Sequence, residues 1–209
     1  MQDKTKLQKD TKFEIHPLLA ERWSPRTFSD MTVSETEIRS LLEAGRWAPS
    51  SNNFQPWRII WGIKGSKTYD RIYNVLVEFN QSWAKNAPVL MLGAFKKTNP
   101  DGEENFHALH DLGAFSAMLT VQAQHLGIAV HQMAGVKFKD ALKEFDFTND
   151  YHVATALALG YYGGDNSDLP EDLAKQETPK SERKLQREFS FNGNFSETNN
   201  LSDDEQPLE

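Results

Sequence analysis

Cysteine is absent from all 209 residues, which excludes a disulfide framework, a thiolate nucleophile and a thiolate metal site. No apolar run approaches the roughly 20 residues that a bilayer-spanning helix needs. The polar start Met1-Gln2-Asp3-Lys4-Thr5-Lys6 is followed by no apolar signal segment. Positive charge is also short: 23 Lys and Arg stand against 30 Asp and Glu, a formal net charge of −7. A nucleic-acid partner would require a basic face, and none is written here. Three phosphate and nucleophile signatures are missing too. There is no Gly-x-Gly-x-x-Gly, no Gly-x-x-x-x-Gly-Lys-Ser/Thr and no Gly-x-Ser-x-Gly. The expectation is a cytoplasmic protein with neither a membrane nor a nucleic-acid partner.

The length suits one domain. Residues 1–12 read as a flexible polar tail, 13–195 as a single domain and 196–209 as an acidic disordered tail. Within the domain the clearest helix start is Ser34, an N-cap with Glu37 three residues on, flanked by Val33 and Ile38 as a hydrophobic staple. A strand is expected at Trp57–Ile63 and a second helix from about Ser66 to Phe79. Val89–Phe95, apolar throughout, reads as a strand covered on both faces. The longest helix, about Phe106 to Leu126, is apolar or small nearly all round, which places it in a large core or a subunit interface. Strands follow at Ile128–Gly135 and Tyr151–Tyr161, with a short helix between them. Phe189–Phe195 alternates like an edge strand and hangs off a polar connection, a pattern that suits pairing with a second subunit.

One stretch stands apart. Trp47–Trp57 holds two prolines, two tryptophans and five uncharged hydrogen-bonding side chains in eleven residues. Pro49 and Pro56 fix φ and remove donors, so the segment holds a defined shape. Ordinary turn chemistry accounts for such residues; a heterocyclic ligand with donor and acceptor edges is the alternative. Upstream, Arg22 and Arg26 flank Trp23-Ser24-Pro25. They are either a solvated pair or a clamp for phosphate, whose oxygens match the guanidinium fork. His107, His110 and Asp111 make a thin metal set, and a carboxylate near a helix start is explained by the helix dipole. His131 reads as a packed strand histidine before a catalyst.

Taken in order, these segments resemble the nitroreductase-like flavoproteins. Arg22-Trp23-Ser24-Pro25-Arg26 is similar to the family's Arg-Arg-Ser-x-Arg, and Pro49-Ser50-Ser51-Asn52-Asn53-Phe54-Gln55-Pro56-Trp57 to its Pro-Ser-Ser-x-Asn-x-Gln-Pro-Trp. Asp111-Leu112-Gly113-Ala114, Leu126-Gly127 and Gly160-Tyr161 follow in the expected order. The resemblance implies an α+β fold, a mixed β-sheet flanked by helices, with a C-terminal arm exchanged in a homodimer. It implies two FMN molecules at the dimer interface, with Arg22, Ser24 and Arg26 at the phosphate and ring edge, Trp23 among them, and Arg183 completing the phosphate site. Ser50, Ser51, Asn53 and Gln55 would reach the flavin of the other subunit. Asn80 would reach the ring, and Gln132, Met133, Ala134 and Gly135 would pass along its other face. Trp23 stands where the family has a second arginine, and Ser181, between Lys180 and Arg183, where many relatives carry a cation.

The activity so implied is an FMN-dependent oxidoreductase that uses NAD(P)H to reduce nitroaromatic, quinone or related small acceptors by ping-pong hydride transfer. No side chain is named as catalytic. Dehalogenation, enal reduction, a non-catalytic flavin-binding module and an interaction domain without cofactor are the alternatives.

Overall fold

The computed structural model describes residues 9, 11–177 and 182–195. Most of both segments read as tails, with Lys180 and Ser181, lies outside the described residues.

In chain order the elements are α1 (Pro17–Glu21), α2 (Glu35–Arg46), β1 (Trp57–Ile63), α3 (Lys67–Asn74), α4 (Glu78–Ala84), β2 (Val89–Lys96), α5 (Ala108–His125), β3 (Ile128–Met133), α6 (Phe138–Glu144), β4 (Tyr151–Tyr161) and α7 (Glu171–Gln176). The strands lie in the order β1-β2-β4-β3. The α+β architecture is as expected. Every strand pairing among the described residues is antiparallel, so these four strands do not form the mixed sheet expected of them.

Alternation along the central strands explains the layers. On β2, Val89 and Met91 face one side with Leu157 and Leu159 of β4, where they meet Ile38 and Leu41 of α2 and Leu112, Phe115 and Leu119 of α5. Leu90, Leu92 and Ala94 face the other side with Ala156 and Ala158, against Tyr69, Ile72, Trp83 and Ala141 from α3, α4 and α6. The sheet is therefore covered on both faces, which is why β2 carries no polar residue before Lys96. Each fully buried Leu or Ile removes apolar surface worth about 1.5–3 kcal/mol.

Two expected elements differ. The helix expected over 66–79 is two helices, because the backbone turns at Val75-Leu76-Val77 to bridge Leu76 with Val136 and to give Val77 N–H to the Gly135 carbonyl (3.0 Å). The 189–195 segment is not a strand. A one-turn 3-10 helix at Gln186–Glu188 folds Ser190 N–H back onto Gln186 (2.8 Å). Phe189 and Phe195 stay exposed, since the described part of this chain offers them no strand to pair with.

The capping box opens α2 as read. Ser34 N–H donates to Glu37 Oε2 (2.7 Å) and Glu37 N–H to Ser34 Oγ (3.2 Å). The Tyr161 hydroxyl also donates to Glu37, tying α2 to the end of β4. That hydroxyl first, then Ser34, holds the Glu37 carboxyl below its usual 4.5. We predict that Ser34→Ala lowers unfolding stability by about 1 kcal/mol in urea titrations near neutral pH. The difference from wild type should shrink in acid, because a depressed carboxylate contributes fully above its unfolded pKa and loses that contribution as pH falls through the folded one.

Candidate functional site

The arginine turn begins where α1 ends. Arg22 leaves the helix in extended backbone, and its Nη1 donates to Ser24 Oγ (3.2 Å). Trp23 stacks on Tyr162, ring centroids 6.3 Å apart, and its carbonyl accepts from the Tyr162 hydroxyl (3.3 Å). That hydroxyl lies closer to Gln124 Oε1 (2.6 Å), a buried acceptor on α5. The carbonyl of buried Pro25 accepts from His131 Nδ1 (3.0 Å), so His131 carries its proton on Nδ1. Arg26 is held by Glu177, which accepts from the Arg26 main-chain N–H (2.5 Å) and from Nη1 (3.3 Å). The Glu177 side chain is only 2% exposed.

His131 joins this turn to the end of β3. Its ring lies 4.4 Å from Trp83 of α4, and the next residue, Gln132, donates to Thr120 Oγ1 of α5 (3.3 Å). Met133 turns its side chain into the core, so only its backbone faces the site; its carbonyl accepts from Thr155 Oγ1 (2.9 Å). Ala134 is exposed. The Gly135 carbonyl accepts from Asn80 Nδ2 (3.1 Å), and a Cβ at Gly135 would collide with the Asn80 amide and Val77. Glycine is required by this approach rather than by a turn. The structure thus brings together Arg22, Trp23, Ser24, Arg26, Gln132, Met133, Ala134, Gly135 and Asn80, through the His131–Pro25 and Asn80–Gly135 contacts. The charges of Arg22 and Arg183 both act on Lys9, lowering its pKa from the usual 10.5 after burial does so.

The donor set can be tested against a phosphorylated flavin. Arg26 Nε and Trp23 Nε1 are both buried without a hydrogen-bond partner. Buried donors left unmatched cost about 1–3 kcal/mol each, so two of them within one cationic turn fit an anionic, acceptor-rich group. Arg26 is already half committed to Glu177, which leaves Arg22 as the better phosphate holder.

The amide-rich loop does not join this assembly within one chain. Asn52, Asn53 and Gln55 have φ of 48°, 56° and 48°, a left-handed conformation that Asn tolerates and Gln does not favour. Internal bonds hold it: Gln55 N–H to Ser50 Oγ (3.1 Å) and Gln55 Nε2 to Asn53 Oδ1 (3.1 Å). Its outside anchor is Asp111, 1% exposed, whose Oδ2 accepts from Ser51 N–H (3.2 Å). Asp111 and Thr120 lie on α5 nine residues apart, which is about 13 Å along the axis and about two and a half turns. The loop and Gln132 are therefore fastened to opposite sides of that helix.

His110 sits 3.3 Å from Asp111. No group of three metal-ligating side chains occurs among the described residues.

Comparison with known proteins now decides the family. The model of the Nitroreductase family matches residues 19–81. A solved structure described as an oxidoreductase containing FMN is 32% identical, covers 94% of this chain and 99% of its own, and superposes with a TM-score of 0.83. The chain belongs to the nitroreductase family. A Streptomyces coelicolor relative named NADH dehydrogenase/NAD(P)H nitroreductase is 24% identical, over 66% of this chain and 78% of its own. The nitrobenzene nitroreductase of Ectopseudomonas oleovorans is 35% identical over 35% of this chain and 32% of its own length.

The sequence offers no site role for Glu177, Thr120 or Tyr162, and offers Asp111 only a place in a thin metal set or at a helix dipole. Only Asp111 carried a local signal, a carboxylate near a helix start, and that signal points to the dipole rather than to a loop 60 residues away.

Two outcomes follow. Asp111→Ala strands the Ser51 N–H and should cost roughly 1–3 kcal/mol in urea unfolding, with faster hydrogen exchange at Ser51; Asp111→Asn keeps an acceptor and should cost less. His131 is pushed down to about 4, chiefly by burial, with Arg26 and Arg22 adding to it against the opposing Pro25 and Ser24 carbonyls. Its neutral form thus contributes stability in full above its ordinary 6.5, lost as pH falls from there to about 4. Replacing it, as in His131→Gln, should flatten that part of the stability–pH curve.

Proposed function

We propose that this protein is an FMN-dependent oxidoreductase that uses NAD(P)H to reduce small electron acceptors of the nitroaromatic or quinone class. The observation that carries the reading is the convergence of the Arg22–Arg26 turn, the end of β3 and Asn80, with two buried N–H donors left unmatched. When bound, FMN supplies the redox chemistry, taking hydride from NAD(P)H and passing the electrons to the acceptor.

This chain's residues position and tune. Arg22 and Arg183 would hold the phosphate, and Arg26, fixed by Glu177 through the main chain and Nη1, would offer its other N–H donors to the ring edge. Positive charge at that edge stabilises the anionic reduced state. Gln132, Met133, Ala134 and Gly135 offer backbone along the ring, and Asn80 sets where that backbone runs. His131 stays neutral at neutral pH, so it adds no further charge beneath the arginines.

Residues 13–195 act as one domain, and a second copy completes the site. The outer face of α5 leaves Met118 exposed beside Ala117 and the half-buried Ala114 and Val121, and Phe106 and Leu109 stand exposed at the start of the helix. A second copy covering that face would receive Ser50, Ser51, Asn53 and Gln55 from a loop held on the far side of α5 from Gln132. An arm at 189–195, with Phe189 and Phe195 exposed, would pair across the same dimer. Among the described residues no helix is long and apolar enough to cross a membrane; a cytoplasmic site of action is part of the proposal.

The test is direct. Purified protein should take up FMN, turn yellow, bleach anaerobically with NADH or NADPH, and recolour on addition of a nitroaromatic or quinone. Arg22→Ala should weaken FMN by about 1.5–3 kcal/mol, the scale of a charged hydrogen bond. Sedimentation should show a dimer at micromolar concentration. Indifference to FMN would overturn the proposal, and bound flavin that NAD(P)H leaves oxidised would reduce it to a flavin-binding module.

A further inference from the structure

We infer that Lys9, in the segment ahead of α1, is a third cation of the anion site and contacts the flavin phosphate beside Arg22 and Arg183. This rests on the function proposed above and adds a residue to it.

The geometry begins with α1. The Lys9 main-chain N–H reaches the Ala20 carbonyl (3.4 Å). Its Nζ donates to the Leu19 carbonyl (3.0 Å) and to the carbonyl of Arg22. The ammonium is thus delivered onto the residue that starts the arginine turn. An ammonium has three N–H donors, so two carbonyls leave one for a phosphate oxygen. Burial, followed by the Arg22 and Arg183 guanidinia, holds the Lys9 pKa below its usual 10.5.

Lys9 and Arg22 therefore meet at the end of α1, and the charge of Arg183 is felt there as well. Like charges brought together disfavour one another's charged forms, and an arrangement of this kind is relieved by an anion. Among the described residues no carboxylate forms an ion pair with Lys9 or Arg22. Glu177, packed against the turn, is engaged by Arg26 through both oxygens. A doubly charged phosphate suits this set better than a carboxylate, because it can accept from several donors at once.

The competing role is a purely structural one, in which Lys9 only satisfies the carbonyls at the end of α1. Two substitutions in the full chain separate them. Lys9→Gln keeps a neutral donor for the carbonyls and removes the charge; Lys9→Arg keeps the charge. Fluorescence titrations with FMN and with riboflavin, which has the same ring and no phosphate, give the readout. Lys9→Gln should weaken FMN about tenfold and leave riboflavin unchanged, while Lys9→Arg should recover most of the FMN affinity. Wild-type FMN affinity in Lys9→Gln, or equal losses for both flavins, would overturn the assignment and leave the functional proposal standing. Failure of the wild-type chain to take up either flavin would overturn both.

Discussion

The constraint on which the site depends is the desolvation of polar groups on α5. A helix packed against a sheet should bury only apolar side chains, yet Asp111, Ser116, Thr120 and Gln124 are all buried on it. A buried polar group without a partner costs more than the partner's bond returns. Three of the four find partners in the functional segments: Asp111 at the amide-rich loop, Thr120 at Gln132, and Gln124 at the Tyr162 hydroxyl beneath Trp23. One helix thereby fixes the heights of segments that are far apart in the chain.

The same helix separates what it holds. Thr120 and Gln124 lie on one side and Asp111 on the other, so the amide-rich loop and the end of β3 with its arginine turn are held apart within one chain. This is the geometric argument for a shared site, and it does not depend on the exposed apolar residues. In the proposed dimer those residues would add a driving force, and the placement of the polar ones says what association would accomplish.

Much of the fold was legible because its causes are local. The Ser34–Glu37 box involves residues three apart, and the two-sided burial of β2 is written in an unbroken apolar run. The break between α3 and α4 was hidden because apolar spacing continues through Val75-Leu76-Val77; the turn there is set by Gly135, some sixty residues away. The 189–195 segment alternates as a strand does, but alternation names a preference and supplies no partner. The arginine turn and the amide-rich loop were visible as compositions. Their anchors were not, since Glu177 lies 151 residues from Arg26 and no periodicity links the two. The phosphate reading of Arg26 also had to be narrowed, because a carboxylate already occupies part of its guanidinium.

The left-handed residues of the loop bear on what substitutions the segment can accept. Asn52 and Asn53 hold backbone angles that β-branched side chains resist on steric grounds. A valine or isoleucine at either position would deform the loop even if it preserved volume and never met a ligand. Tolerance at these positions is therefore set by backbone shape before side-chain chemistry. Asparagine serves because it is one of the few residues that satisfies both at once.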